Sequence, residues 1–436
     1  MDIGTASVLI VLALIGLMLI GLPLAFVTGA VAIGTTLLVL GPQGLPLVAS
    51  RVYSFVMEYA LVAVPMFILM ASLLERSGVA RDLYNAMSKW AGGLPGGVAV
   101  QTTIVAVLIA AVTGIIGGEV VMLGLMALPQ MLRLGYDKRL ASGVICAGGS
   151  LGTMIPPSIV LIFYGLTAAQ PIGDLFVAAA VPGLMLASLY VAYVLIRCRI
   201  NPELGPPLPV EERATTAEKL RLLRGLLAPM AIAVWVLGSI YGGIASVSEA
   251  AGVGVAGTLA VAAMRGELNW RMLNEALQET LVTCGKLLWI TFGATALIGI
   301  YNVMGGTRFL QDFMAGLPLA PIAIVLVMMA ILIVLGMFMD WIGILLLTMP
   351  VFVPVITDLG FDPIWFGVLF TMNMQISYLT PPFGPACFFL KSVAPPELQL
   401  PDIFRGMLPF IGLQGFAIIL VIIWPEIALW LPSVLR

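Results

Sequence analysis

A chain of 436 residues in which 61% are hydrophobic and 10% charged has too little polar surface for a soluble globule, where about a quarter of residues carry charge. It belongs in a lipid bilayer, where the placement of Lys and Arg says more than a net charge of -2. Histidine is absent, and Cys146, Cys198, Cys284 and Cys387 show no paired spacing. The commonest proton relay and metal ligand is therefore missing, and the cysteines read as packing residues.

The N-terminus lacks the basic start of a secretory signal and reads as a first spanning helix, retained in the mature protein. Apolar runs near the ~20 residues that cross a hydrocarbon core fall at 6–22, 23–40 and 54–74. A long stretch follows at 97–132, then a proline-broken one at 139–167 and a clean one at 175–196. After a polar segment the order returns: 226–244, 250–264, 280–303, a long stretch at 320–355, a broken one at 363–390, and 407–423. Residues 266–280 carry Leu268, Met272, Leu273 and Leu277 at helical spacing, which predicts an amphipathic helix in the interface, either an arm between a fixed and a moving part or a plain connector.

The breaks organise the rest. Consecutive prolines cannot both continue a helix, so Pro156-Pro157 and Pro381-Pro382 interrupt their segments at membrane depth. Freed backbone groups in lipid are tolerated only in protein or beside a hydrated cavity, and paired interruptions in two halves point to a transporter's binding site. At one spacing of 225 residues, Pro129 matches Pro354, Asp137 matches Asp362, the two proline pairs match, and Phe163 matches Phe388. The fold class expected is therefore an all-α polytopic membrane protein of two inverted repeats. Each has about five spanning helices, one of them broken at Pro-Pro, and one re-entrant hairpin. The repeats are 1–197 and 226–436, joined by a cytoplasmic linker at 198–225 in which a short surface helix fits.

With hairpins turning at Thr113 to Gly118 and Gly336 to Asp340 and the N-terminus outside, the Lys and Arg residues fall on or nearest the cytoplasmic side. Only Arg51, Arg308 and Arg436 remain outside, as the positive-inside rule requires. Lys286 is counted with the cytoplasmic set, and ordinary helix pairs in place of hairpins would satisfy the same count.

Hairpin tips and broken helices converging near the midplane present half-helix N-termini to an anion and C-terminal carbonyls to a cation. The substrate-binding set expected is Thr153, Pro156, Pro157, Ser158, Ser377, Thr380, Pro381, Pro382 and Gly384. The ion-binding or coupling set is Thr113, Gly114, Gly117, Gly118, Glu119, Gly149, Ser150, Gly152, Gly336, Asp340, Asn373 and Gln375. An intramembrane carboxylate marks a functional site by default. Asp340 reads as an ion ligand or a helix cap, and Glu119 as either of these or as a protonated coupling group, while Glu58 and Glu249 read as interfacial. The chain has no H-E-x-x-H, Walker loop or G-x-S-x-G elbow, and no enzyme activity, cofactor or nucleic-acid partner is expected.

Three stretches carry a resemblance to a known family: Leu134-Gly135-Tyr136-Asp137-Lys138, the run from Cys146 to Ser158 ending G-x-x-I-P-P-S, and G-M-F-x-D at Gly336 to Asp340 followed by Pro350 and Pro354. Over essentially its whole length the chain resembles the large permease subunit of a tripartite ATP-independent periplasmic (TRAP) transporter. The resemblance implies Na+-coupled import of a carboxylate by an elevator mechanism in the bacterial inner membrane. It also implies two partners, a periplasmic substrate-binding protein and a small four-helix membrane subunit. By position, one ion site would lie between Thr113 to Gly118 and Gly148 to Gly152, and the other between Gly336 to Asp340 and Asn373 to Thr380. Many relatives have a serine-rich first turn where this chain has Thr113-Gly114-Ile115-Ile116-Gly117-Gly118-Glu119, so hydroxyl ligands are fewer. The alternative is a stand-alone Na+- or H+-coupled anion symporter that needs no binding protein.

Overall fold

The computed structural model describes residues 2–88, 90, 93–114, 117–213, 215, 224–316 and 318–435. Ile115, Ile116, Lys89, Lys219, Arg221, Arg436 and most of the linker's expected surface helix lie outside the described residues. Among those described there is no strand. The first half runs α1 (Ile3–Leu19), α2 (Leu24–Val39), α3 (Leu45–Val56), α4 (Ala63–Arg76), α5 (Val79–Ser88), α6 (Gly97–Thr113), α7 (Gly118–Arg133), α8 (Lys138–Ser150), α9 (Ile159–Ala168) and α10 (Ile172–Ile200). The second runs α11 (Arg224–Tyr241), α12 (Val247–Met264), α13 (Trp270–Val303), α14 (Gly306–Ala315), α15 (Pro321–Gly336), α16 (Trp341–Asp358), α17 (Pro363–Leu379), α18 (Pro385–Val393), α19 (Leu400–Ile423) and α20 (Glu426–Leu435). Among the described residues, six helices are long and apolar enough to cross a membrane, and shorter apolar helices stand beside them.

Local chemistry sets the element ends at matching places. The Asp137 carboxylate accepts the amides of Arg139 and Leu140 at 3.1 and 2.9 Å and starts α8. Asp362 does the same for α17, accepting Ile364 and Trp365 at 2.6 and 3.4 Å. Such caps occupy donors that a helix start otherwise leaves unpaired. Glu249 closes a capping box with Ser246 at the head of α12, in keeping with a place near a helix end.

Two expectations change. The segment 266–280 is not a separate interfacial helix: Asn269 caps α13, which then runs unbroken for 34 residues. No proline interrupts that run, and at 1.5 Å per residue the helix is about 51 Å long, so its polar start extends past a ~30 Å hydrocarbon core. The run at 54–74 is also divided, because α3 ends at Val56 and a 3-10 turn at Tyr59–Val62 precedes α4.

The helices pack in two groups. In one, α13 lies along α2, α3 and α4, and α12 packs on α4. In the other, α6 and α7 form a hairpin against α8, while α15 packs on α17. Elements cross between the halves, with α16 on α9 and α18 on α7. The main core, with Phe67, Phe163, Tyr164, Phe366 and Phe370 fully buried, spans both groups.

Candidate functional site

Each hairpin tip is seated on the broken helix of its own half, and glycine permits the contact. Gly114 ends α6 at φ 63°, and a Cβ there would collide with the carbonyl oxygen of Pro157. The Gly114 carbonyl accepts the amide of Ile159, the first residue of α9, at 3.4 Å. In the second half, a Cβ on Gly336 would collide with the side chain of Ser377 in α17. Pro156-Pro157 and Pro381-Pro382 both carry cis peptide bonds and stand in the two interruptions, 151–158 and 380–384.

A cavity of about 300 Å³ lies where these pieces meet. Gly114 and Thr153 line it from the first half, Asp340, Trp341, Tyr378, Phe383 and Pro385 from the second, and Lys286 from α13. Trp341 meets Phe163 edge-to-face at 5.7 Å, which fixes one wall to α9. Asp340 stands at the N-cap of α16, with the backbone amides of Trp341 and Ile342 beside its carboxylate, and lines the cavity.

A second cavity of about 400 Å³ adjoins the first across Thr283 and Phe389. Glu75, Thr113, Gly117, Gly118, Glu119 and Glu279 line it. Glu119 is 2% exposed; the Thr113 hydroxyl donates to one of its oxygens, and Oε2 has no partner among the described residues. Its carboxyl group lies against Gly152, where a Cβ would strike it. Glu279 is compensated, accepting from Ser72 at 2.6 Å and pairing with Arg76 at 2.8 Å.

The other sequence-selected residues divide between wall and support. Gly149 packs against the backbone of Val120, with the nearest main-chain atoms 3.1 Å from an ideal Cβ. Ser150 lies deeper, where its carbonyl accepts the Gln375 side-chain amide at 3.1 Å and its hydroxyl accepts from Gln414 at 3.4 Å. Asn373 donates to the carbonyl of Met329 at 3.0 Å. Asn373 and Gln375 therefore tie helices together, each with its amide oxygen unpartnered. Pro156, Pro157 and Ser158 are buried behind the Gly114 contact and do not line the cavity. Ser377 lines a narrow cleft with Gly336 and Asp340, and the Thr380 hydroxyl donates back to Ile376 at 2.7 Å. Pro381 and Pro382 are partly or fully exposed, and Gly384 sits beside Phe404, so none of these belongs to the cavity wall.

Among the wall residues that sequence did not single out are Lys286, Tyr378, Glu75 and Glu279. Lys286 falls in the first turns of the apolar run at 280–303, so it is counted with the cytoplasmic cations, although it stands near the middle of α13. The signal available was its spacing from Glu279 and Thr283, which puts all three on one helix face.

Interrupted helices from both halves around one cavity, within a polytopic helical protein, define a membrane transporter. The chain belongs to the family described as tripartite ATP-independent periplasmic transporter, DctM component, which matches residues 11–427, and is accordingly a multi-pass protein of the inner membrane. It is 29% identical to the C4-dicarboxylate TRAP transporter large permease protein of Vibrio cholerae, over 99% of this chain and 98% of that one. With the ectoine/5-hydroxyectoine TRAP transporter large permease protein of Ruegeria pomeroyi it shares 31% identity over 91% and 96% of the two chains. The sialic acid TRAP transporter large permease protein of Vibrio cholerae is 26% identical, over 96% of each. These relatives are named permeases, not enzymes, as the sequence led us to expect. The solved YdaH transporter of Alcanivorax borkumensis shares the fold at a TM-score of 0.62, with 15% identity over 88% of this chain and 89% of that one.

Proposed function

We propose that this chain imports a small organic acid handed to it by a periplasmic binding protein, driven by Na+, and that it works beside a small four-helix membrane subunit. The observation that carries this reading is the cavity of about 300 Å³ walled by both hairpin tips, both interrupted helices and α13. Its volume suits a small metabolite. C4-dicarboxylates, ectoine and sialic acid, named in three of the relatives, carry a carboxylate, and isethionate, named in another, carries a sulfonate, so an acid anion is common to all four. Full-length relatives with TRAP names disfavour the stand-alone symporter.

The transported ion is assigned to two places. Asp340 and the backbone of the second tip form one, and Thr113, Glu119 and the first tip form the other. Glu119 fits a coupling role because one of its buried oxygens has no partner while it lines a cavity. The reading takes the two halves as inverted repeats with the N-terminus periplasmic. The contact between Ser150 and Gln375, equivalent positions 225 residues apart, supports it, since mates that touch lie on a two-fold axis. In an elevator motion, hairpins and interrupted helices would slide as one body along α13 and its neighbours. The test is uptake of labelled carboxylates into proteoliposomes holding this chain and its small partner, with and without an inward Na+ gradient and the binding protein. Uptake needing both is expected; uptake that needs neither would overturn the proposal.

A further inference from the structure

We propose that Lys286 is the anion anchor of the central cavity, a cation fixed on α13 that takes one carboxylate of the substrate opposite the hairpin tips. This rests on the transport function proposed above and adds to it the group that recognises charge.

Lys286 sits near the middle of the 34-residue α13 and shares its cavity with Gly114 of the first tip and Asp340 of the second. It is therefore level with both tips and well removed from the helix ends where lysines ordinarily reach water. A charged side chain at such depth is costly and normally faces a partner or a water-filled cavity. Among the described residues Lys286 has neither an ion pair nor a hydrogen bond; it is exposed and is one of the residues that line the cavity. The nearest acid on its own helix face, Glu279, is already held by Arg76 and Ser72. Asp340 is the other charged group of the wall, and it does not pair with Lys286. Among the described residues no other Lys or Arg lines this cavity. The free positive charge is thus single, and it matches one carboxylate. Thr153 and Tyr378 offer hydroxyls to the rest of the molecule, and Trp341, Phe383 and Phe389 offer apolar faces.

Placement on α13 has a mechanical consequence. Helix α13 packs along α2, α3 and α4 and also meets α16 of the second hairpin; in the elevator motion proposed above it belongs to the fixed part, so the anchor does not travel with the hairpins. Sliding of the tips past Lys286 separates the carboxylate from its counter-charge, and the step that carries the substrate also loosens it.

Two measurements test the anchor. The first needs no substrate: Leu287, its neighbour in the cavity wall, is made the sole cysteine by Leu287→Cys with the four native cysteines replaced. Its reaction rates with anionic sulfonatoethyl and cationic trimethylammonioethyl methanethiosulfonate are then compared. The anionic-to-cationic ratio is expected to fall about tenfold in Lys286→Gln and to be kept in Lys286→Arg, since one nearby charge sets the local potential. Lys286→Met, which keeps the side-chain length, is read alongside in case the glutamine variant fails to reconstitute. The second is uptake, where Lys286→Gln is expected to raise KM about tenfold, equivalent to ~1.4 kcal/mol, while Lys286→Arg stays within about threefold. An unchanged reagent ratio, or an unchanged KM in Lys286→Gln, overturns the proposal. Loss of Na+- and binding-protein-dependent uptake in the unaltered protein would instead sink the transport reading and leave the reagent ratio to decide on Lys286.

Discussion

Replacing Gly114 with alanine asks whether the first hairpin tip is held on the interrupted helix. Gly114 has φ 63°, a left-handed conformation that costs alanine about 1–2 kcal/mol. The added Cβ would also run into the Pro157 carbonyl, whose carbon lies 3.2 Å from the ideal position. That neighbour is backbone and cannot rotate away, so the tip has to lift, losing the bond from the Ile159 amide at 3.4 Å. Overpacking of this kind adds about 1–3 kcal/mol. Gly135 supplies the control, with φ 80° and nothing within 4 Å of its ideal Cβ, so Gly135→Ala meets the backbone cost alone. In thermal unfolding of the purified protein, Gly114→Ala is expected to melt about 1–3 °C below Gly135→Ala. Its uptake should fall further than the melting point implies, because Gly114 lines the cavity. Equal melting points and equal uptake for the two variants would refute the seated tip.

Further predictions address the other contacts. Gly336→Ala should cost about 1–3 kcal/mol and be partly rescued by Ser377→Gly, which removes the colliding side chain; a double-mutant cycle in melting point and uptake reads the coupling. Asp137→Ala and Asp362→Ala should each lose about 1 kcal/mol of capping, lowering the melting temperature by similar amounts with the Na+ dependence of uptake unchanged. Asp340→Asn, which keeps the size and removes the charge, should abolish the Na+ dependence of uptake while the chain still reconstitutes. Glu119→Gln should weaken coupling and leave folding intact, since its Oε2 has no partner to lose, and is read as substrate uptake per Na+ taken up.

Much of the architecture was legible because punctuation is strong in lipid. The Pro156-Pro157 and Pro381-Pro382 pairs deny the helix both donors and room, so the interruptions at 151–158 and 380–384 can be read from the letters. Glycines at 114, 117, 118 and 336 likewise marked where chains turn or touch. Residues chosen for being polar near a break fared differently. Asn373 and Gln375 satisfy carbonyls of neighbouring segments, a role that depends on which helix stands opposite, and spacing carries no record of that. Pro382 is exposed while its neighbour Phe383 lines the cavity, and which residue of the interruption turns inward is set by the fold of the turn, not by its letters. Hydropathy also could not tell that 266–280 continues into α13, because an amphipathic segment and an apolar one join without any breaking residue.

The most direct test of the account is the sidedness of Thr153, a wall residue of the central cavity. With Thr153→Cys as the sole cysteine in oriented vesicles, a membrane-impermeant thiol reagent is applied from either face, with Na+ and with the carboxylate that the uptake panel selects. The account predicts that the cysteine is reached from both faces in turn, with Na+ shifting the balance and the carboxylate protecting it. A cysteine reached from one face only under every condition, with no protection, would contradict the claim that this cavity carries substrate across the membrane.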